Sequence, residues 1–337
     1  MPLRIPLLVV SLALITFVIA RPGHSAAPAH GLLVVANQFE HTTLLIDPET
    51  HRELAKIVVG VNGHEVTVSK DGRFAYVPIY GNSGVGKPGT DGTSIDVIDI
   101  QARKLAYTID LGKPLRPHEP AFGPDGLLYV TAELDQALDV IDPATRKVVA
   151  EIPTGQPESH MFVIRPGPDR PTAYTANVHA GTLSVLDLTK HSLITTIPVA
   201  KMVQRISIEP DGLYVFTHDQ DSPRIAVIDP LANAVSTWIE VPETVYSSEP
   251  SPDGHWLIAA GMHGHIFAID LHTRKLAKTF DAPTGLGKVL VRPDGAVAYI
   301  SFLTAGKIEV LDLNSWQMQP SIDLTPGVDG MAWAATN

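Results

Sequence analysis

The 337-residue chain contains no cysteine. That absence excludes a disulfide framework, a zinc–thiolate site, a thiol nucleophile and an iron–sulfur cluster. Aromatic residues make up only 6% and charged residues 18%, while hydrophobic residues reach 45%. Such a balance suits a chain that buries a large core and argues against disorder. Basic residues are in deficit, with 25 Lys and Arg against 36 Asp and Glu and a net charge of −11. A binder of phosphate backbones normally carries the opposite surplus, so nucleic acid is not the expected partner. Trp238, Trp256, Trp316 and Trp333 are scattered, without the interleaved basic and aromatic residues of a single-strand platform. A G-x-S-x-G nucleophile elbow and an EF-hand loop are also missing.

One long apolar run is present. Residues 5–20, after Arg4, carry no charge, and small residues follow between Ser25 and Ala29. The run is short for a membrane span and suits a signal h-region. The expectation is a signal peptide over residues 1–29, with an uncleaved anchor as the alternative, and one folded domain over residues 30–337. That folded part is expected to be exported, to a bacterial periplasm, cell surface or medium, without a membrane span of its own. Beyond the run no helical period is evident.

What fills the remainder is a repeat. A short strand ending in Ile-Asp or Leu-Asp recurs seven times, at Asp47, Asp99, Asp142, Asp187, Asp229, Asp270 and Asp312, at intervals of 41 to 52 residues. Between these lies an Asp-Gly pair at Asp71, Asp125, Asp211, Asp253 and Asp294, degenerate at Asp169. Asp-Gly flanked by apolar alternation is a hairpin signal. Each unit reads as four strands; in one, "HMFVIR", "TAYTAN", "TLSVLD" and "SLITTIPV" follow in order. Four strands per unit of this length is the period of a β-propeller blade. The chain opens on "GLLVVANQ", the second strand of a unit, and closes on "VDGMAWAATN", the first. The predicted fold is therefore all-β, a seven-bladed propeller closed by its C-terminal strand.

Residues 126–155, "GLLYVTAELDQALDVIDPATRKVVAEIPTG", resemble the repeat of the YVTN-type, YncE-like propellers, and residues 128–131 come close to the tetrapeptide of that name. The resemblance extends over all seven units. It implies a fold more than an activity, because related propellers include surface-layer and binding proteins, lactonases, and copper-cluster and haem propellers of denitrification enzymes. Some YncE-like proteins bind DNA, against which the acidic balance counts.

Candidate chemistry lies where the innermost strands begin. Aligned on Asp-Gly, one ring position reads His64, His118, His160, Gln204, Tyr246, Gly287 and Asp329, and the next Glu65, Glu119, Met161, Arg205, Ser247, Lys288 and Gly330. Neutral imidazoles are common ligands of copper and zinc, so His64, His118 and His160 are candidate metal ligands. The blander expectation is that each merely bonds nearby backbone. Glu65, Glu119, Gln204, Arg205, Tyr246 and Lys288 are candidate ligand-binding residues of a channel mouth, cationic on one side and His/Glu on the other. Such a mouth suits a small anion, or a lactonase-like hydrolase in which His or Glu activates water and Arg holds an oxyanion. The loops between second and third strands add His41, His179, His218, His263 and His265, with Asp219 and Asp221; taken singly, the loop histidines read as solvated surface residues. Tyr76, Tyr129 and Tyr174 are expected to pack between blades.

"YGNSGVGKPGT", residues 80–90, mimics a phosphate-binding loop, G-x-x-x-x-G-K. Pro88 stands where the magnesium-binding hydroxyl belongs, and the stretch runs from strand to strand rather than into a helix. It reads instead as an insertion over residues 78–94 on the histidine face, a lid carrying Tyr80, Asn82, Ser83 and Lys87. The expected function is a monomeric binding or scaffold module for a small ligand, a metal or a protein; the alternative is an enzyme, lactonase-like or metal-dependent.

Overall fold

The computed structural model describes residues 30–167 and 171–336. The expected signal segment and the degenerate turn at Asp169 lie outside the described residues. Seven four-stranded antiparallel sheets form a seven-bladed β-propeller. The first blade combines both ends of the chain, with Val328–Ala335 innermost, then Gly31–Asn37, Thr42–Asp47 and Arg52–Val58. Gly31 pairs with Ala335, Leu33 with Trp333 and Val35 with Met331, so the last strand closes the ring. In the fourth blade the strands Ser159–Arg165, Thr172–Asn177, Thr182–Asp187 and Ser192–Pro198 lie where the sequence places them. One 3-10 turn, Glu133–Asp135, interrupts the all-strand pattern.

Strand composition follows position in the blade. Second strands such as Leu128–Ala132 are sandwiched between neighbouring blades and buried throughout, so they read as unbroken apolar runs. Outer strands such as Lys147–Pro153 alternate exposed and covered residues. Seven apolar clusters fill the molecule, each drawn from two adjacent blades. Tyr76, Tyr129 and Tyr174 lie in three of these clusters, as expected.

Both repeated aspartates are turn devices. The Asp of the Asp-Gly pair accepts the backbone N–H two residues on, at Arg73, Leu127, Leu213, His255 and Ala296. Its glycine sits at φ between 68 and 80°, where a side chain would be strained. The Asp ending each third strand caps the outer hairpin; Asp229 Oδ1 accepts from Leu231 N at 2.7 Å and Ala232 N at 3.2 Å. Four residues beyond each of these aspartates the backbone is left-handed without glycine, at His51, Arg103, Arg146, His191, Asn233, Arg274 and Trp316. A single left-handed residue costs about 1 kcal/mol, which the capped hairpin must offset. Asp229→Ala is expected to destabilise the protein by about 1 kcal/mol through loss of this cap. A thermal or urea melt checks it, and Asp221→Ala, outside the hairpin, serves as the reference.

Candidate functional site

The inner strands begin around one axis, and the ring residues meet there in two tiers. Asn62, Arg116 and Glu158 each stand two residues before a ring histidine, and each has a left-handed backbone, with φ of 60, 49 and 56°. Equivalent positions in the seventh and first blades hold Gly285 and Gly327. At Asn62 and Arg116 the strain aims side chains that the site uses, while Glu158 turns to the exposed His179.

In the first tier, His64 Nδ1 faces two acceptors, Asn62 O at 3.2 Å and Asn62 Oδ1 at 3.1 Å. It therefore carries the proton, and its bare Nε2 accepts from His118 Nε2 at 2.6 Å. This leaves His118 Nδ1 as a buried acceptor without a hydrogen-bond partner. The His118 and His160 rings lie with centroids 3.6 Å apart at 34°. Gln204 Nε2 stands 3.2 Å from His160 Nε2 and can donate to it. His118 and His160 are only 2% and 3% exposed, while His64 is half-buried. Burial, reinforced by neighbouring imidazoles and Arg205, holds the His118 pKa well below its ordinary value, and burial likewise lowers that of His64. Both rings are neutral at pH 7.

Tyr80 covers this tier. Its ring lies 5.3 Å from His64 and 5.5 Å from His118, and its hydroxyl donates to Glu133 Oε2 at 2.5 Å. Burial first, then Glu133, drives the phenol pKa far up, so it remains a donor. Arg116 bonds the other Glu133 oxygen at 3.3 Å, Asp91 at 2.6 Å, and the carbonyls of Gly84 and Lys87 at 3.1 and 2.9 Å. The glycine-rich segment is thus pinned by its carbonyls rather than presenting N–H groups to a phosphate. Strands Phe74–Gly81 and Asp91–Asp99 run further into the insertion than the sequence indicates, leaving residues 82–90 as loop. Tyr80 is therefore a buried strand residue, Ser83 is buried too, and Asn82 and Lys87 are exposed. Backbone pairing across the insertion extends those strands, as the Gly81–Asp91 pair shows.

The second tier is an ion-pair network across the axis. Glu65 Oε1 accepts from Arg205 Nη1 at 2.6 Å, and its Oε2 binds the Lys288 ammonium. Arg205 Nη2 reaches Asp329 at 3.1 Å and Tyr246 Oη at 3.4 Å, and its guanidinium lies 4.8 Å from the Tyr246 ring centroid. Lys288 stands 3.8 Å from Glu119. A divided mouth, cationic opposite His/Glu, is not what forms. Glu65 is 1% and Arg205 4% exposed, and charges so buried require partners, so both cations reach over to Glu65. Burial would raise the Glu65 carboxyl, but Arg205 and Lys288 outweigh it and hold it at about 2. At Glu119 burial outweighs the more distant Lys288 and pushes the carboxyl up to about 8. Gly330 permits this crowding, since a Cβ there would stand 2.4 Å from His64 O.

Beyond the second tier the channel opens into a cavity of about 780 Å³. Its walls are the inner strands from one residue past the ring down to the Asp-Gly hairpins at Pro210, Pro252 and Pro293. Glu119, Arg205 and Lys288 stand at one end, and Phe122, Met161 and Trp333 are among the apolar wall residues. The open volume thus faces away from the histidine tier, whereas the sequence directs attention to the histidine face. His218 also differs from expectation. It is fully buried, bonds Ser248 Oγ at 2.8 Å, and burial lowers it to about 3. Asp219 is buried against Arg224. His41 bonds the Gln38 carbonyl and His265 pairs with Glu243, while His179 and His263 are exposed. Sequence reasoning did not single out Arg116 or Glu133. A signal existed for the first, since Arg116 shares its ring offset with Asn62 and Glu158; nothing marks Glu133.

No protein-family model matches the chain, and no curated protein sequence does. Among solved structures, the chain is similar to hydrazine synthase of Kuenenia stuttgartiensis, at 19% identity and a TM-score of 0.70, over 85% of this chain and 94% of that one. It is also similar to a protein of unknown function from Desulfotomaculum acetoxidans, at 13% identity and a TM-score of 0.75, over 91% of this chain and all of that one. Similarity at these identities establishes the shared propeller fold. Among the described residues no helix is long and apolar enough to cross a membrane.

The buried carboxyls set a pH dependence. Glu119 at about 8, and Glu249 and Asp139 at about 7, each raised mainly by burial, bind protons in the folded state that the unfolded chain releases near its ordinary carboxyl values. Their contribution is complete below pH 4 and is lost as pH rises through 7 to 8. Glu65 works in the other direction, losing its contribution as pH falls toward 2. The melting temperature is expected to decline between about pH 4 and pH 8 and then to level off, and Glu249→Gln to flatten the part of that decline below about pH 7 in a calorimetric pH series.

Proposed function

We propose that this protein is an exported propeller of the YVTN-type, YncE-like group that binds a small molecule in its central channel. The observation carrying the reading is the 780 Å³ cavity, with walls more apolar than polar and Glu119, Arg205 and Lys288 at one end. That volume lies within the range of about 300–1,000 Å³ found for small-molecule sites, and apolar walls with few polar groups are their usual make-up. The leading apolar run supports export, and the protein works as a monomer at the bacterial surface or in the periplasm. A neutral fluorescent probe, N-phenyl-1-naphthylamine, tests the binding reading. It is expected to bind one per chain, and Val163→Trp, which fills the channel wall, is expected to weaken it at least tenfold while the circular dichroism spectrum is retained. Absence of saturable binding, or unchanged binding in that variant, overturns the reading.

A second reading makes the protein an enzyme, metal-dependent with copper or zinc or lactonase-like. It is favoured by one observation: a His118 nitrogen and one oxygen each of Glu65 and Glu119 lie within 4.8 Å of one another. Two facts weigh against a metal in this arrangement. The Lys288 ammonium already binds Glu65 and stands 3.8 Å from Glu119. The 2.6 Å between the His64 and His118 nitrogens is also a hydrogen-bond separation, closer than two ligands on one ion. Elemental analysis of protein purified without chelator, before and after His118→Ala, decides the metal; less than 0.1 ion per chain sinks it. A lactone panel with rates equal to buffer removes the hydrolase.

A further inference from the structure

Resting on the channel-binding reading, we infer that the ligand class is an apolar monocarboxylate, its head group held by Lys288 and Arg205 and its body along the channel wall. The charged end of the cavity is not evenly satisfied. Arg205 commits Nη1 to Glu65 and Nη2 to Asp329 and Tyr246, but its Nε is a buried donor without a hydrogen-bond partner. Lys288 has three N–H donors; one meets Glu65, and Glu119 lies 3.8 Å off, beyond hydrogen-bond length. Both cations line the cavity, whereas their shared partner Glu65 is not part of its wall.

Unused donors on two cations at the end of a pocket call for acceptor oxygens bearing negative charge. An unpaired buried donor is costly, and a charge-assisted hydrogen bond is the strongest available remedy. A carboxylate offers two oxygens and no donor, matching these donors and the unpartnered Glu119 carboxyl beside them, which burial keeps protonated at pH 7 and so able to donate. The opposite head group fails on the same chemistry, because an ammonium would add donors and a third positive charge. Below the charged end the wall is mainly apolar, with Phe122, Met161, Val289, Met331 and Trp333, and Ser207, Ser248 and Glu249 are set into it. A ligand that is polar throughout would leave its far end unsolvated there, so the body must be apolar.

Calorimetry with decanoate, decanol and decylamine at pH 7, and competition of each against N-phenyl-1-naphthylamine, test the inference. Decanoate is expected to bind at least tenfold more tightly than decanol, and decylamine not to compete. Lys288→Met is expected to reduce decanoate binding at least tenfold and to abolish its preference over decanol, while Arg205 still neutralises Glu65. Equal affinity for decanoate and decanol, competition by decylamine, or indifference of decanoate to Lys288→Met overturns it. The head-group comparison uses the unaltered protein, so the test survives a variant that does not fold. Loss of all probe binding would instead refute the channel reading beneath it.

Discussion

Closure of the ring by the pairing of Val328–Ala335 with Gly31–Asn37 is the constraint on which the remaining structure depends. A sheet left open at either side would expose strand edges. Closing the circle also brings seven strand beginnings around a single axis. Residues far apart along the chain thereby become neighbours; Glu65 meets Arg205 140 positions away and Lys288 223 positions away. No local motif specifies such partners. They are a property of the circle.

The axis then imposes its own chemistry. Seven blades pack apolar faces on each other, while polar and charged side chains converge where the inner strands begin, most of them buried. The chain responds in two ways. On the side of the insertion it pairs imidazole with imidazole, and holds the Glu133 carboxylate between the Tyr80 phenol and Arg116. Toward the hairpins it pairs formal charges and leaves a few donors over. Neutral histidines and paired charges thus answer one problem, the expense of isolated charge away from solvent.

Most of the architecture was legible in the sequence because a blade is a local object. Asp229 and its six counterparts cap turns within their own hairpins, so their spacing counts the blades. Ring positions were legible for the same reason, since each lies at a fixed offset from an Asp-Gly turn. Orientation across the ring was not. Whether Arg205 stays on its own side or crosses to Glu65 depends on side-chain reach and on the energetics of burial, which no offset encodes. His218 was misread because loop position suggested exposure, whereas it belongs to the strand Val215–His218 and faces Ser248. The phosphate-loop mimic was correctly set aside from its context. Its actual anchoring depends on Arg116, a residue distinguished only by its offset before the ring.

The seven left-handed residues of the outer hairpins have a consequence of a different kind. Backbone shape is held constant there while the side chain varies from His51 to Arg146 to Trp316. Geometry and chemical character are thereby uncoupled at the rim. Successive copies of the unit could diverge in charge and bulk on the perimeter without altering how blades stack. At the axis the two are inseparable, since each side chain is another blade's partner. The perimeter is where this scaffold can acquire new surfaces cheaply, and the centre is where it must conserve a solution already reached.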